Sequence, residues 1–283
     1  ILKVKKTTAA QCQVADDCWN THFEELFNVE EQVTYQDFDP ELEGSHDYDW
    51  GINERAENLE EDITLTEITR EISSSKNRKA AGPDGVTNEV LKPTFGIIFP
   101  LLLMLFNRCF RNSECPKVWR TSYLKPLYKG KGRKTDPNSY RGISLLSCTF
   151  KVYSGILYRR LAEWADRFKM LPDNQFGFRR GLSTIKATNT LIGDIKRRLC
   201  EKRSYYIAFV DFEKAFDKLD RQRLFKKLRR SGLSKHFLSV LKAIYSKNEI
   251  RVCNGCLRYT SDSADESRVG RITLRHITLQ TTQ

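Results

Sequence analysis

With 283 residues, a net charge of +12 and a pI near 9.3, the chain is long enough for one large domain or two modest ones. Its eight cysteines show no framework spacing, which excludes a disulfide-stapled secreted scaffold and leaves the thiols reduced. A hydrophobic fraction of 40% supplies a core and excludes a wholly disordered chain.

The charge is unevenly placed. Residues 1–72 carry 5 Lys+Arg against 19 Asp+Glu, a balance of −14, whereas residues 73–283 carry 43 against 17, a balance of +26. So basic a region attracts polyanions through its summed field, and nucleic acid is the commonest such partner. The first residue is Ile, and no charged segment leads into an apolar one as in an export signal. The expectation is an internal fragment or an incomplete translation, resident in the nucleus or cytoplasm.

In chain order, residues 7–28 read as a helix with a ragged stripe of Val14, Cys18, Phe23, Leu26 and Phe27. Residues 29–62 are acidic and aperiodic, as expected of a linker. Thr64 and Glu67 form a capping box that opens a helix with Ile68 and Ile72 on one face, ending near Ser75. The run Ala80-Ala81-Gly82-Pro83-Asp84-Gly85 is a turn, and short helices are predicted around 87–92 and 97–111. The apolar run from Gly96 to Phe106 is shorter than the ~20 residues of a membrane span, so a buried helix and no membrane partner are expected.

A strand is predicted over Ser122–Tyr128, followed by a glycine-lysine loop. Helical spacing then groups Phe150, Tyr153, Leu157, Leu161, Trp164 and Phe168. It likewise groups Ile185, Thr188, Ile192, Ile195 and Leu199, and finally Phe237, Leu241, Ile244 and Tyr245. Between the last two sets, Tyr205–Phe212 reads as a buried strand. Patterning dissolves after about Leu257. Cys253 and Cys256 form a CxxC pair with no second pair nearby, so they read as incidental cysteines and not as a zinc site.

Asp211 is the leading catalytic candidate. A carboxylate closing a buried strand needs a cationic partner, and a divalent metal is one. On periodicity alone the default reading is a strand-ending Asp that caps a following helix; Asp217 and Asp220 are assigned to that helix end.

Read whole, Phe209-Val210-Asp211-Phe212-Glu213-Lys214-Ala215-Phe216-Asp217 resembles the first catalytic segment of reverse transcriptases, in the form found in non-LTR (LINE-type) retrotransposons. Four upstream segments are similar to the same family and stand in its order. These are Lys76–Gly85, Trp119 with Leu124–Gly130, Tyr140–Leu146, and Gln175–Gly181 with Ser183-Thr184. The resemblance covers roughly residues 64–252. Gly142 stands where the family usually has Pro, and Ala81 where Pro is frequent; the first is expected to loosen a loop holding Arg141.

The resemblance implies an α+β fold, with a helical fingers region plus an incomplete polymerase palm, a truncated antiparallel sheet. Residues 1–63 would precede it as helix and linker, 64–257 would form it, and 258–283 would trail as an unstructured or out-of-frame tail. It implies RNA-directed DNA synthesis on an RNA template and DNA primer, from deoxynucleoside triphosphates, with Mg²⁺. Asp211 and the backbone carbonyl of Phe212 would ligate metal. Lys129 and Arg141 would hold the triphosphate, and Phe216 would exclude a 2′-hydroxyl. Lys76, Arg78, Lys79, Arg179 and Arg180 would lie on nucleic-acid phosphates; each also reads as a solvated surface charge.

Two-metal transfer needs further carboxylates from another strand, and no adjacent Asp pair follows Asp211. A chain inactive by itself is therefore expected, with a non-catalytic nucleic-acid-binding remnant of a decayed element as the alternative. A maturase-like relative is a third reading, disfavoured by the LINE-like form of the upstream segments.

Overall fold

The computed structural model describes residues 3–7, 16–27, 57–212, 215 and 219–253. In order, the elements are β1 (Lys3–Thr7), α1 (Asp16–Phe27), α2 (Glu57–Glu60), α3 (Leu65–Ser74), α4 (Asn88–Arg111), α5 (Lys117–Arg120) and β2 (Thr121–Tyr128). They continue with β3 (Tyr140–Leu145), α6 (Cys148–Arg167), α7 (Thr184–Cys200), α8 (Arg221–Arg230), α9 (Lys235–Tyr245) and β4 (Glu249–Cys253). The architecture is α+β, with helices beside one small mixed sheet.

The main core is helical. It is built from Leu59, Ile63, Ile68 and Ile72 of the α2–α3 region, Phe106 and Phe110 of α4, Tyr153, Ile156 and Leu157 of α6, and Phe237 and Leu241 of α9. Rings interlock at its centre, with Phe106 to Tyr153 at 5.4 Å and Trp119 to Tyr153 at 5.3 Å between centroids. Such pairs stabilise beyond their area alone.

The capping box expected at Thr64 forms. Glu67 accepts from the Thr64 backbone N–H at 2.8 Å, and the Thr64 hydroxyl accepts from the Glu67 N–H at 3.3 Å. The same carboxylate receives Arg160 of α6 in a two-pronged contact, Nε to Oε1 at 2.6 Å and Nη2 to Oε2 at 2.8 Å. Arg160 also donates to the carbonyls of Glu61 and Asp62, so a buried guanidinium makes four hydrogen bonds. Asn107 closes the same corner. Its amide accepts from Ile63 N at 2.6 Å and donates to Ile63 O at 3.0 Å.

Helix α4 departs from expectation. Pro93 and Pro100 lie inside one helix of 24 residues, where two short helices were predicted. Each proline removes one helical hydrogen bond, but burial of Leu91, Leu102, Phe106, Cys109 and Phe110 along the helix holds it together. By length and composition it is, among the described residues, the one helix able to cross a membrane. Only one side is in the core. Ile97, Leu101 and Met104 are 82%, 63% and 64% exposed, so the buried helix expected is buried on one face only.

The sheet order is β1-β4-β2-β3. β1 and β2 each pair parallel with β4, and β2 pairs antiparallel with β3. Helix α1 covers one face. Trp19 and Phe23 pack with Leu124, Ile250 and Val252 in a second, smaller core. Of the predicted helix over 7–28, residues 16–27 are helical and Thr7 instead ends a strand over 3–7, while 8–15 and 28 lie outside the described residues. In the 29–62 region, residues 57–60 are helical with Leu59 buried, while 28–56 lie outside the described residues.

The predicted strand over Tyr205–Phe212 does not form. Residues 203–212 have no regular structure, and Tyr206, Phe209, Val210 and Phe212 are 92%, 86%, 76% and 68% exposed. A strand exists only by pairing, and the described sheet is mixed, assembled from 3–7, 121–128, 140–145 and 249–253. The truncated antiparallel sheet expected of the palm, with Tyr205–Phe212 as its first strand, is therefore not the sheet observed.

Candidate nucleic-acid interface

The β2–β3 hairpin carries the first group of predicted site residues. Leu127 pairs with Arg141 and Tyr128 with Tyr140, and Lys129 N continues the ladder to Ser139 O at 2.9 Å. Side chains alternate across a strand, so Leu127, Lys129 and Arg141 share the face turned away from α1. Lys125 lies on that face too, and Arg251 joins it through its register with Tyr123. Lys129 and Arg141 are both exposed.

The loop between the strands is basic and internally held. Lys131, Arg133 and Lys134 are exposed. Tyr128 hydroxyl donates to Gly132 O at 2.7 Å, Tyr140 hydroxyl to Lys134 O at 2.8 Å, and Lys129 Nζ to Asn138 O at 2.7 Å. Asp136 accepts from Asn138 N at 2.9 Å and opens a short 3₁₀ turn over 137–139. Gly132 has φ +87°, and a Cβ there would meet Ser139 Oγ at 2.3 Å, so the tight loop requires glycine.

Gly142 lies in β3 opposite Pro126, not in a loosened loop. A Cβ there would sit 3.0 Å from both Leu124 Cδ1 and Phe23 Cε1, so the missing side chain lets α1 approach the sheet. Pro126 is tolerated in β2 because pairing with β4 ends at Leu124, leaving no ladder for it to interrupt on that side.

The second group surrounds the Gly82–Gly85 turn. Gly85 N donates to Gly82 O at 3.1 Å, and Gly85 has φ +69°. Gly82 lies directly against the chain leaving β3; a Cβ there would fall 2.4 Å from Leu146 C and Ser147 N. Ser147 caps α6 and donates to Asp84 Oδ2. Two segments singled out separately in the sequence are therefore one backbone-to-backbone contact. The basic stretch before the turn is pinned to the start of α4. Asn88 Nδ2 donates to Lys76 O at 2.6 Å, and Arg78 N donates to Glu89 Oε1. That N–H holds the Glu89 carboxyl below its ordinary range. Lys76 and Arg78 are exposed and Lys79 half-buried.

Lys151 is a residue that sequence reasoning missed. It stands on the first turn of α6, near Asp84 and Lys79. Burial pushes its ammonium pKa down, and the Lys79 charge acts in the same direction. Its only sequence signal is its position directly after Phe150, which the apolar stripe obscures.

The remaining candidates are dispersed. Arg179 Nη1 donates to Pro172 O at 3.0 Å, and the guanidinium lies 3.6 Å from Asp166, so it staples the 172–179 loop. Arg180 is exposed beside it. Asp211 and Phe212 lie in the exposed irregular segment, and Phe216 lies outside the described residues. Asp220 is the N-cap of α8, accepting from Gln222 N at 2.8 Å, as expected of a helix end, while Asp217 lies outside the described residues. Cys256 is likewise outside them. Among the described residues no three His, Cys, Asp or Glu side chains gather to hold a metal ion. By themselves these residues do not fit a two-metal centre.

Residues 131–269 match the family profile described as reverse transcriptase (RNA-dependent DNA polymerase). The match runs beyond residue 252, where the resemblance read from the sequence ends. The chain is 32% identical over 170 residues to a probable RNA-directed DNA polymerase from transposon BS of Drosophila melanogaster, covering 59% of this chain and 18% of that protein. It is 32% identical over 163 residues to a retrovirus-related Pol polyprotein of a type-1 retrotransposable element from Bradysia coprophila, covering 57% and 16%. It is 28% identical over 158 residues to the RNA-directed DNA polymerase from mobile element jockey of Drosophila melanogaster, covering 56% and 17%. The chain thus spans less than a fifth of each relative's length. Reverse transcriptases are generally dependent on divalent metal. The chain carries a reverse transcriptase domain, and its relatives are RNA-directed DNA polymerases of non-LTR retrotransposons.

Proposed function

We propose that this chain forms the nucleotide- and template-facing part of an RNA-directed DNA polymerase that uses an RNA template, a DNA primer and deoxynucleoside triphosphates. The family match over residues 131–269 carries the reading. In it, residues 64–257 form the fingers and the start of the palm, with 1–63 before and 258–283 after. The basic outer face of the β2–β3 hairpin receives the triphosphate through Lys129 and Arg141, because phosphoryl transfer depends on placing and neutralising phosphate charge. Lys76, Arg78, Lys79, Arg179 and Arg180 track template or primer phosphates, and Phe216 stands against the incoming sugar. Asp211 and the Phe212 carbonyl serve as Mg²⁺ ligands only together with carboxylates from beyond the described residues. The bound metal would supply charge stabilisation at the attacking and leaving oxygens.

The reading is tested by primer extension in a longer protein that contains this sequence. Asp211→Asn should abolish extension while template binding persists, and Arg141→Gln should raise the KM for nucleotide. Extension unaffected by Asp211→Asn overturns the reading. The single carboxylate at the exposed 203–212 segment favours a second reading for the chain by itself, a nucleic-acid binder without catalysis. Salt-sensitive binding with no incorporated nucleotide would support it.

A further inference from the structure

The densest run of positive charge in the sequence belongs to none of these segments. Residues 221–248 contain nine Lys and Arg and no Asp or Glu, and six of the nine are in the ten residues of α8. The helix is firmly seated: Leu224 and Leu228 are buried with Leu233, Phe237, Leu241 and Ile244 in the main core. At 100° per residue, these two leucines fix the inward side, and Arg223, Lys226, Arg229 and Arg230 fall opposite. All four are exposed.

The two other cations of α8 lie at its flanks. Arg221 stacks over the Tyr245 ring at 5.3 Å, and Lys227 is half-buried. Arg223 is ion-paired with the cap residue Asp220 at 3.2 Å. Lys226, Arg229 and Arg230 carry the outward charge beyond it. From position 223 to 230 the helix rises ~10 Å, about the run of three phosphates on one strand at ~3.4 Å each. Guanidinium forks suit phosphate oxygens.

An anionic bilayer is a poor fit. A helix lying in a membrane surface needs a free apolar face, and here Leu224 and Leu228 are committed to the core. Gln222 is the only uncharged residue on the outward side, so the face has nothing apolar to insert.

We propose that the outer face of α8 is a further nucleic-acid contact, gripping the phosphate backbone without reading base sequence. The inference rests on the polymerase reading above and adds a surface that the family segments do not include.

The test uses the full chain with Lys226→Gln, Arg229→Gln and Arg230→Gln combined, measured by fluorescence anisotropy on a short oligo-uridine RNA across a salt series. The slope of log affinity against log salt should shrink by about 2, from three lost single-strand phosphate contacts. Thermal melting should not change, since the three side chains point away from the core. A parallel variant, Lys131→Gln with Arg133→Gln and Lys134→Gln, removes charge from the β2–β3 loop instead. If that variant weakens binding while the α8 variant matches the unaltered chain, this proposal falls and the polymerase reading stands. If the unaltered chain does not bind RNA, both fall. Loss of binding to phosphatidylserine vesicles with RNA affinity retained would also overturn it.

Discussion

Helices α6 and α7 present apolar stripes that look alike in sequence and end in opposite environments. α6 buries nine residues, among them Tyr153, Ile156 and Leu157. α7 buries none; Ile185 and Leu199 remain 71% and 62% exposed, and the following segment leaves Phe209 at 86%. Periodicity specifies which side of a helix is apolar, but burial requires a partner surface. α6 has α3 and α4 against it, whereas the described residues offer α7 none. Stability should therefore be concentrated in the α3–α4–α6–α9 core, with the 184–212 region contributing little.

The sharpest trial of that contrast is a pair of truncations. Phe106→Ala, which empties a site ringed by Trp119 and Tyr153, should cost about 3–5 kcal/mol in urea unfolding. Ile185→Ala should change stability by less than about 0.5 kcal/mol. Equal losses would break the contrast. Gly82→Ala comes next, since its Cβ would press on the Leu146–Ser147 backbone; a loss of about 1–3 kcal/mol is expected by the same measurement. Tolerance there would mean the two backbone segments separate easily. Thr64→Ala removes one half of the capping box and should lower stability by about 1 kcal/mol.

The smallest expected effect is a pH dependence at Glu67. Burial pushes its carboxyl up, but hydrogen bonds from Arg160 and from Thr64 outweigh that and hold it below the ordinary 4.5. A depressed carboxylate contributes stability above its unfolded value and loses it as pH falls through the folded one. The melting temperature should therefore drop on acidification below pH 4.5, and Glu67→Gln should flatten that drop. An undiminished acid slope in the variant would locate the effect elsewhere.

Local signals were the legible ones. Thr64 with Glu67, the α6 stripe from Phe150 to Trp164, the Gly82–Gly85 turn and the strand at Ser122–Tyr128 all appear as read, because each is specified by neighbours in sequence. The misreadings involve distant partners. α4 runs through Pro93 and Pro100 because long-range packing outweighs two lost hydrogen bonds. Tyr205–Phe212 has strand composition but no described strand to pair with. Beyond the helix end at Asp220, α8 was not legible, because its amphipathic signal is only Leu224 and Leu228 within a run of cations. For the candidate site, the strand leading to Lys129 was legible, but β3, which carries Arg141, was not, since that strand exists only through its pairing with β2. Nor was Lys151, since its setting depends on a turn 66 residues upstream packing against the start of α6.

The strand order has a bearing on how the molecule is made. β4, at 249–253, sits between β1, at 3–7, and β2, at 121–128, so the last of the described strands to leave the ribosome is the one that joins the earlier ones. At the usual pace of synthesis, the β2 edge would wait on the order of ten seconds for its neighbour. During that interval Leu124, later fully enclosed, would be an open invitation to other chains, and a chaperone that shields the nascent β2–β3 hairpin should raise the yield of folded protein.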